Sequence, residues 1–188
     1  MSNQRAKKMK YQRMDPIDHV LNRSDMYVAS IRQKKQEEYI SDPTKGWKIT
    51  KKTIKIAPAL NQIFREPLSN AVDNVARDTK KYKCTEIRVS VDQETGQTII
   101  KNNGMPIPIT QENTDGIWNH SLIFGKLLTS SNYDDTKDRS DISGRNGVGV
   151  TCTNIFSTSF KVKGVDPESG KMLTQTWTEN MKKTKGAL

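Results

Sequence analysis

Residues 65–74 read Arg65-Glu66-Pro67-Leu68-Ser69-Asn70-Ala71-Val72-Asp73-Asn74 and form the centre of residues 57–78, the segment that decides the fold. Wound as an α-helix at about 100° per residue, this segment separates its apolar and polar side chains. One flank carries apolar residues: Leu60, Phe64, Leu68, Ala71, Val72 and Val75. The opposite flank carries acids, amides and one arginine: Glu66, Asn70, Asp73, Asn74 and Arg77.

The polar flank of this helix has two interpretations. The ordinary one is a solvated helix surface, on which Asp73 would simply pair with Arg77. The other is a functional site, because the carboxylate of Glu66 lies one helical turn from the amide of Asn70. Such a set is suited to holding a metal-bound anion and one water molecule.

The composition bounds the class of protein. A chain of 188 residues is long enough for one domain with a hydrophobic core. A hydrophobic content of 33% and a mean hydropathy of -0.77 predict that part of the chain is exposed or awaits a partner. No segment approaches the roughly 18 apolar residues that span a bilayer, and the N-terminus has no apolar signal region. We therefore expect an intracellular protein without a membrane partner.

The net charge of +10 is concentrated at the two ends of the chain. Residues 1–55 contain 14 lysines and arginines against 6 acidic residues, whereas residues 56–160 contain 11 against 12. A basic N-terminal arm favours a polyanionic partner such as nucleic acid, although a solubilising tail explains the composition equally well. The two cysteines, Cys84 and Cys152, are too few and too far apart for a metal motif, and we expect both to be reduced and mostly buried.

The remaining periodicity predicts an alternation of hairpins and short helices. Alternating β-branched residues at 85–91, a Gly-containing turn and residues 97–101 predict a β-hairpin. Apolar spacing predicts short helices at 120–128 and 150–156, and a second hairpin spans 159–163 and 172–178. Residues 32–52 are highly charged, with an edge strand expected near Trp47 and Ile49. Ile54 and Ile56 alternate and predict a short strand that leads into the helix at 57–78. Residues 129–143 show no periodicity and predict a loop.

A glycine-rich stretch precedes the helix at 150–156. Gly144-Arg145-Asn146-Gly147-Val148-Gly149 can adopt positive φ angles, so several backbone N–H groups can converge on an anion at the helix start. No Gly-Lys-Ser or Gly-Lys-Thr follows, so the stretch is not a Walker A loop. Alone, it is a weak signal.

Three motifs in combination resemble the nucleotide-binding domain of type IIA DNA topoisomerases. Glu66-x-x-x-Asn70-x-x-Asp73-Asn74 resembles the first box of that ATPase superfamily, and Asn102-Asn103-Gly104-x-Pro106-Ile107-Pro108 resembles the second. The glycine-rich stretch resembles the third. Residues 122–135, which include Ser130, Ser131 and Asn132, are similar to the eukaryotic and large-DNA-virus topoisomerase II subfamily in particular.

The resemblance implies an α+β fold of the Bergerat type, a two-layer sandwich whose mixed, mostly antiparallel sheet is covered by helices on one face. It implies an N-terminal arm and strap at 1–30, an ATP-binding domain at 31–181 with a lid at about 129–149, and a basic tail at 182–188. A full enzyme of the family continues into a transducer domain and a cleavage core, which this sequence lacks.

The resemblance also implies residue roles with ATP and Mg²⁺ as cofactors. Glu66 is expected to be the general base, and Asn70 is expected to bind Mg²⁺. Positions expected to contact the adenine, the ribose or the phosphates are Asp73, Asn74, Asn102, Ile107, Ser130, Ser131, Asn132, Gly144, Arg145, Asn146, Gly147, Val148, Gly149 and Thr151.

Two positions depart from the family pattern. Pro67 follows the expected base where the family has an aliphatic residue, and it removes the N–H that would bond the carbonyl of Ile63. We expect it to kink the helix and displace the carboxylate. Thr151 stands where the family has a lysine that reaches the phosphates, which predicts weaker nucleotide binding.

The sequence thus predicts the ATPase module of a DNA topoisomerase II. In that role, ATP closes the lid and dimerises two copies through the N-terminal arm, capturing double-stranded DNA in the nucleus or another DNA-containing compartment, such as a viral factory. The remainder of the topoisomerase would be its partner, and the isolated chain would be a weak ATPase. The alternatives are a non-catalytic, nucleotide-dependent dimerisation module and a basic DNA-binding protein.

Overall fold

The computed structural model describes residues 13–77, 79–129 and 147–186. Four α-helices lie in these ranges: α1 at Pro16–Asn22, α2 at Pro58–Ala76, α3 at Asn119–Gly125 and α4 at Gly149–Ile155. Seven strands accompany them: β1 at Lys34–Asp42, β2 at Lys48–Ile56, β3 at Ile87–Val91, β4 at Thr98–Asn102, β5 at Ser159–Asp166, β6 at Lys171–Thr178 and β7 at Lys183–Lys185. No helix in the described ranges is long and apolar enough to cross a bilayer.

The strands form antiparallel ladders, as the α+β interpretation requires. Within the described ranges they make three separate sheets, namely β1–β2, β3–β4 and β5–β6–β7, rather than one continuous sheet. Every recorded pairing is antiparallel, so the expectation of a partly mixed sheet is not met in this part of the chain. The predicted hairpins at 85–101 and 159–178 are both present.

Two elements were not predicted from the sequence. β1 is the first, and it pairs with β2 over nine residues in each strand. For β2 itself, short strands near Trp47 and Ile49 and at Ile54 and Ile56 were expected. The apolar alternation that identifies a strand is missing here because polar residues such as Gln36, Glu38 and Thr50 occupy half-buried positions as well as the exposed ones. β7 lies within the segment expected to be a basic tail, and it pairs with β6.

The main core lies where α1, α2 and α4 meet. Its fully buried members are Val20, Val28, Ala59, Cys152 and Ile155. A backbone hydrogen bond of 3.0 Å from the N–H of Ala59 to the carbonyl of Ser30 joins the start of α2 to the segment that precedes the ribbon. The expectation of reduced, buried thiols is confirmed, because Cys84 and Cys152 are both buried and neither forms a disulfide.

A second packed region lies between α3 and the β5–β6 hairpin. Ring contacts run from His120 to Phe124, from Phe124 to Phe160 and from Phe160 to Trp177. His120 is 1% exposed, and burial lowers the pKa of its imidazole. Its Nδ1 is buried without a hydrogen-bond partner among the described residues.

Candidate nucleotide site on α2 and α4

Two members of the polar flank of α2, Asp73 and Asn74, are buried in the interior of the protein. Asp73 is 4% exposed and Asn74 is 9% exposed, whereas Leu60 and Val72 on the apolar flank are 63% and 51% exposed. This burial excludes the interpretation of Asp73 as a solvated surface acid. Asn74 satisfies its buried amide with hydrogen bonds to the second motif.

The carboxylate of Glu66 lies against the first residue of α4. A Cβ atom built at Gly149 would overlap Oε2 of Glu66, so only glycine leaves room for the carboxylate in this arrangement. The side chain of Gln62, one turn earlier on α2, donates a hydrogen bond to Oε1 of Glu66. The structure thereby joins the expected general base to the last glycine of the third motif.

Gln62 is a site residue that the motif comparison missed. The sequence spacing indicates this contact, because Gln62 and Glu66 are four residues apart and such residues lie side by side on a helix. By holding one carboxylate oxygen, the Gln62 amide leaves the other directed toward Gly149. Gln62 is therefore placed to orient the carboxylate.

Pro67 does not interrupt α2, which runs continuously from Pro58 to Ala76. The carbonyl of Ile63, which Pro67 deprives of its helical donor, accepts a hydrogen bond of 2.9 Å from Oγ1 of Thr153 on α4. The helix continues through Pro67 because another element supplies the missing donor. The expected kink and the expected displacement of the Glu66 carboxylate stay predictions. Nothing in the sequence pattern indicated this role for Thr153.

Asn74 ties α2 to the second motif. Its Nδ2 donates to Oδ1 of Asn102 at 2.8 Å and to the carbonyl of Met105 at 3.1 Å. Asn102 also accepts a hydrogen bond from the N–H of Gly104 at 3.1 Å. A Cβ at Gly104 would lie 2.6 Å from Nδ2 of Asn74, so this glycine is required for the close approach.

The other expected site residues are distributed more widely. Asn70 is exposed one turn beyond Glu66, and no hydrogen bond to another described residue engages its side chain. Ile107 is half-buried beside the second motif. Val148 packs against the main core, which assigns its side chain a structural contact.

The side chain of Thr151 does not make the phosphate contact that its position in the sequence suggested. Its side chain is fully buried, and its hydroxyl lies 3.3 Å from the carbonyl of Ile123 and 3.2 Å from that of Lys126. These carbonyls lie in the last turn of α3 and at its C-cap, where the helix itself provides no donor. The geometry therefore gives the side chain of Thr151 a structural task and does not support its contact with phosphate.

The ends of the third motif meet the chain near α3. Gly147 has a φ of 63°, which favours glycine, and its carbonyl accepts a hydrogen bond of 3.1 Å from the N–H of Thr129. The expected contact residues Ser130, Ser131, Asn132, Gly144, Arg145 and Asn146 lie outside the described residues, as does most of the segment expected to form the lid.

A buried thiol, that of Cys152, lies close enough to Glu66 to be influenced by its charge. Burial, together with the nearby carboxylate of Glu66, raises the pKa of Cys152 to about 11. The thiol is therefore neutral at physiological pH and acts as a small apolar side chain beneath the site. No cluster of His, Cys, Asp and Glu suited to a metal ion occurs among the described residues. A cation here would depend on neutral oxygen donors such as the amide of Asn70.

The sequence is similar to those of known DNA topoisomerases. The chain is 44% identical over 189 residues to DNA topoisomerase 2 of Invertebrate iridescent virus 6, covering 95% of this chain and 16% of that protein. It is 42% identical over 171 residues to mouse DNA topoisomerase 2-alpha, covering 91% of this chain and 11% of that protein. The chain thus spans less than one fifth of the length of these relatives. No family model matches.

Solved structures show the same likeness. The ATPase region of Saccharomyces cerevisiae topoisomerase II superposes with a TM-score of 0.86 at 37% identity, covering 95% of this chain and 47% of that one. The ATPase and transducer domains of DNA topoisomerase II from Balamuthia mandrillaris give a TM-score of 0.90, also at 37% identity, covering 97% of this chain and 45% of that one. The resemblance and fold class predicted from the motifs are confirmed: the chain is homologous to the N-terminal ATPase region of DNA topoisomerase 2.

Proposed function

We propose that this chain, as a homologue of the ATPase region of DNA topoisomerase 2, is a nucleotide-binding module that binds and hydrolyses ATP. The observation that carries the proposal is the contact between Glu66 and Gly149, which brings the first and third motifs together. A carboxylate at the beginning of a glycine-led helix lies beside backbone N–H groups that can bind phosphate oxygens.

Glu66 acts as the general base in this proposal. Its carboxylate accepts a proton from a water molecule as the water oxygen bonds to the γ-phosphorus of ATP. The bond between the γ-phosphorus and the bridging oxygen breaks, and ADP and inorganic phosphate leave. Gln62 holds the carboxylate in place through its hydrogen bond to Oε1.

Asn70 is the residue of the described chain that is best placed to hold Mg²⁺. Its exposed amide presents a neutral oxygen, and Mg²⁺ prefers oxygen ligands while keeping several from water and phosphate. When bound, the ion neutralises phosphate charge. A neutral donor fits this task because a second carboxylate beside Glu66 would repel the phosphates.

The adenine end of the pocket is assigned to the buried Asp73, to Asn102 and to Ile107. Asn74 supports these residues by holding Oδ1 of Asn102, and its own role is therefore to position the second motif. The ribose and phosphates are assigned to Ser130, Ser131, Asn132 and the backbone of residues 144–149, in accordance with the resemblance.

In a longer enzyme, the module would serve as an ATP-operated gate. ATP that binds the closed state preferentially would shift the population toward it. Two copies would then dimerise through the N-terminal arm and capture a DNA duplex for strand passage, in the nucleus or another compartment that contains DNA. The remainder of the topoisomerase is the partner that this role requires.

The test measures nucleotide binding and turnover separately. A non-hydrolysable ATP analogue with Mg²⁺ is titrated at equilibrium, and phosphate release from ATP is followed in parallel. The variant Glu66→Gln is expected to retain analogue binding and to lose turnover by on the order of 100-fold or more. Glu94→Gln, in the exposed β3–β4 turn, is the matched control. Unchanged turnover in Glu66→Gln would exclude the base assignment.

A second candidate function is nucleotide-dependent association without hydrolysis. It is favoured by Thr151, whose buried hydroxyl is bonded to α3 carbonyls and offers no cation to the phosphates. Analogue binding that occurs without measurable phosphate release by the wild-type chain would select this function.

A further inference from the structure

The β1–β2 ribbon has one face that is exposed along its whole length. In the antiparallel register, directly opposed residues point to the same side of the ribbon. Residues at even positions are mostly half-buried, whereas those at odd positions are all exposed. We call the exposed set the lysine face: Lys35, Glu37, Tyr39, Ser41, Ile49, Lys51, Thr53 and Lys55.

The ribbon is strongly basic. Residues 32–56 contain eight lysines and arginines against three acidic residues. The lysine face itself carries three lysines and one acid, Glu37, which pairs with Lys51 at 2.5 Å. Both members of this pair are more than half exposed, and exposed pairs contribute little to stability, so Lys51 can exchange Glu37 for another anion.

One pairing on the lysine face is unfavourable for the isolated ribbon. Lys35 lies directly opposite Lys55, and like charges in that position destabilise a strand pair. An anion bound between the two ammonium groups would remove the repulsion. The arrangement therefore favours a partner that supplies regularly spaced negative charge.

The shape of the ribbon narrows the choice of polyanion. Nine residues in a strand extend about 30 Å, and a two-stranded ribbon fits the major groove of duplex DNA. Tyr39 and the tip residue Trp47 are 74% and 72% exposed, so flat side chains accompany the lysines. A row of lysines contacts phosphates as point charges and carries no base-specific pattern.

We propose that the lysine face of the β1–β2 ribbon binds the phosphate backbone of duplex DNA, independently of nucleotide and of base sequence. The proposal deepens the proposed function, since it gives the captured duplex a specific contact surface on this module. It does not require ATP binding, so the two proposals can fail separately.

The test compares two triple variants of the full chain in the absence of nucleotide. Lys35→Gln, Lys51→Gln and Lys55→Gln together remove the lysine-face charges, while Lys161→Gln, Lys163→Gln and Lys171→Gln remove the same charge from the exposed β5–β6 hairpin. Binding of a fluorescently labelled duplex is followed by anisotropy over a range of salt concentrations. The basic residues 1–12 are unchanged in every protein, so they contribute equally to each measurement.

The lysine-face variant is expected to bind DNA about 10-fold or more weakly than wild type, and its salt slope should fall by roughly 2 to 3. The hairpin control should change both quantities far less. Glu37→Gln, which removes the one acid from the face, should strengthen binding. Circular dichroism and urea unfolding establish that each variant is folded before it is compared.

Four results would each overturn the proposal. The first is no binding of duplex DNA by the wild type, and the second is an equal loss of affinity in the two triple variants. The third is equal affinity of the wild type for duplex DNA and for heparin, with both affinities unchanged by Glu37→Gln. Preferential binding of an acidic polypeptide over DNA would also overturn it, since it would assign the face to a protein partner. ATP-analogue binding, measured on the same variants, should remain at the wild-type value.

Discussion

Oγ1 of Thr153 donates a hydrogen bond of 2.9 Å to the carbonyl oxygen of Ile63, a residue ninety positions earlier in the chain. This bond replaces the one that Pro67 cannot make, because proline has no N–H. It connects α4 to the middle of α2, one turn from the carboxylate of Glu66. A hydrogen bond from α4 therefore offsets the destabilising effect of a proline in α2, the helix that carries the expected base.

Replacing Thr153 by valine should destabilise the protein by about 1–2 kcal/mol, because the carbonyl of Ile63 then loses its donor in a partly buried place. Urea unfolding followed by circular dichroism measures the change. Thr153→Ser keeps the hydroxyl and should lose much less.

The same bond predicts coupling between Thr153 and Pro67. In a Pro67→Ala background, the restored N–H can bond to Ile63, so Thr153→Val should cost clearly less than it does beside the proline. A double-mutant cycle reports the difference directly. Additive effects would mean that the hydroxyl does not compensate for the proline.

Gly149→Ala should destabilise the wild-type protein, since the new Cβ would overlap the carboxylate of Glu66. In a Glu66→Ala background the overlap is absent, and alanine is preferred to glycine in a helix by up to about 1 kcal/mol. The sign of the effect should therefore change from destabilising to neutral or stabilising. Thermal unfolding of the four proteins tests this, and an effect of the same sign in both backgrounds contradicts the predicted contact.

Stability should depend on pH through His120. Burial lowers the pKa of its imidazole below the ordinary value of about 6.5, so the unfolded chain binds a proton more readily than the folded one. Above about pH 6.5 the free energy of unfolding does not depend on the protonation of His120. Below that value it decreases as the pH falls, by at most about 1.4 kcal/mol per pH unit.

Urea unfolding at a series of pH values measures this dependence. His120→Phe, which keeps a ring beside Phe124, should flatten the profile in this range. His19→Gln is the control because His19 is the other histidine of the chain, and it should leave the His120 contribution in place. An identical profile for wild type and His120→Phe would exclude the assignment.

Cys152 should resist thiol reagents in the folded protein. Its side chain is fully buried and its pKa is raised to about 11, so both access and thiolate are lacking near pH 8. A Cys84→Ser variant isolates the signal of Cys152 in a colorimetric thiol assay. Slow labelling in buffer and rapid labelling in urea are expected, and rapid labelling in buffer would contradict the burial.

Much of the candidate site was predictable because its signals are local. The helical spacing from Glu66 to Asn74, the β3–β4 hairpin and the glycine-rich start of α4 each depend on neighbouring residues. β1 was not predictable in the same way, since polar residues at half-buried positions such as Gln36 and Glu38 hide the alternation that identifies a strand. The loop residues from Ser130 to Asn146 stay predictions, as they lie outside the described residues.

The sequence by itself determined α2, α3, α4, the β3–β4 and β5–β6 hairpins and the three motifs, because periodicity and turn chemistry act over a few residues. Only the tertiary structure decided which residues of α2 are buried: Asp73 lies inside and Val72 lies outside, which a simple amphipathic helix would not predict. It also decided that Thr151 supports α3 and that Thr153 supplies the donor removed by Pro67. Those contacts join residues far apart in the chain, and no local pattern encodes which distant donor meets which carbonyl.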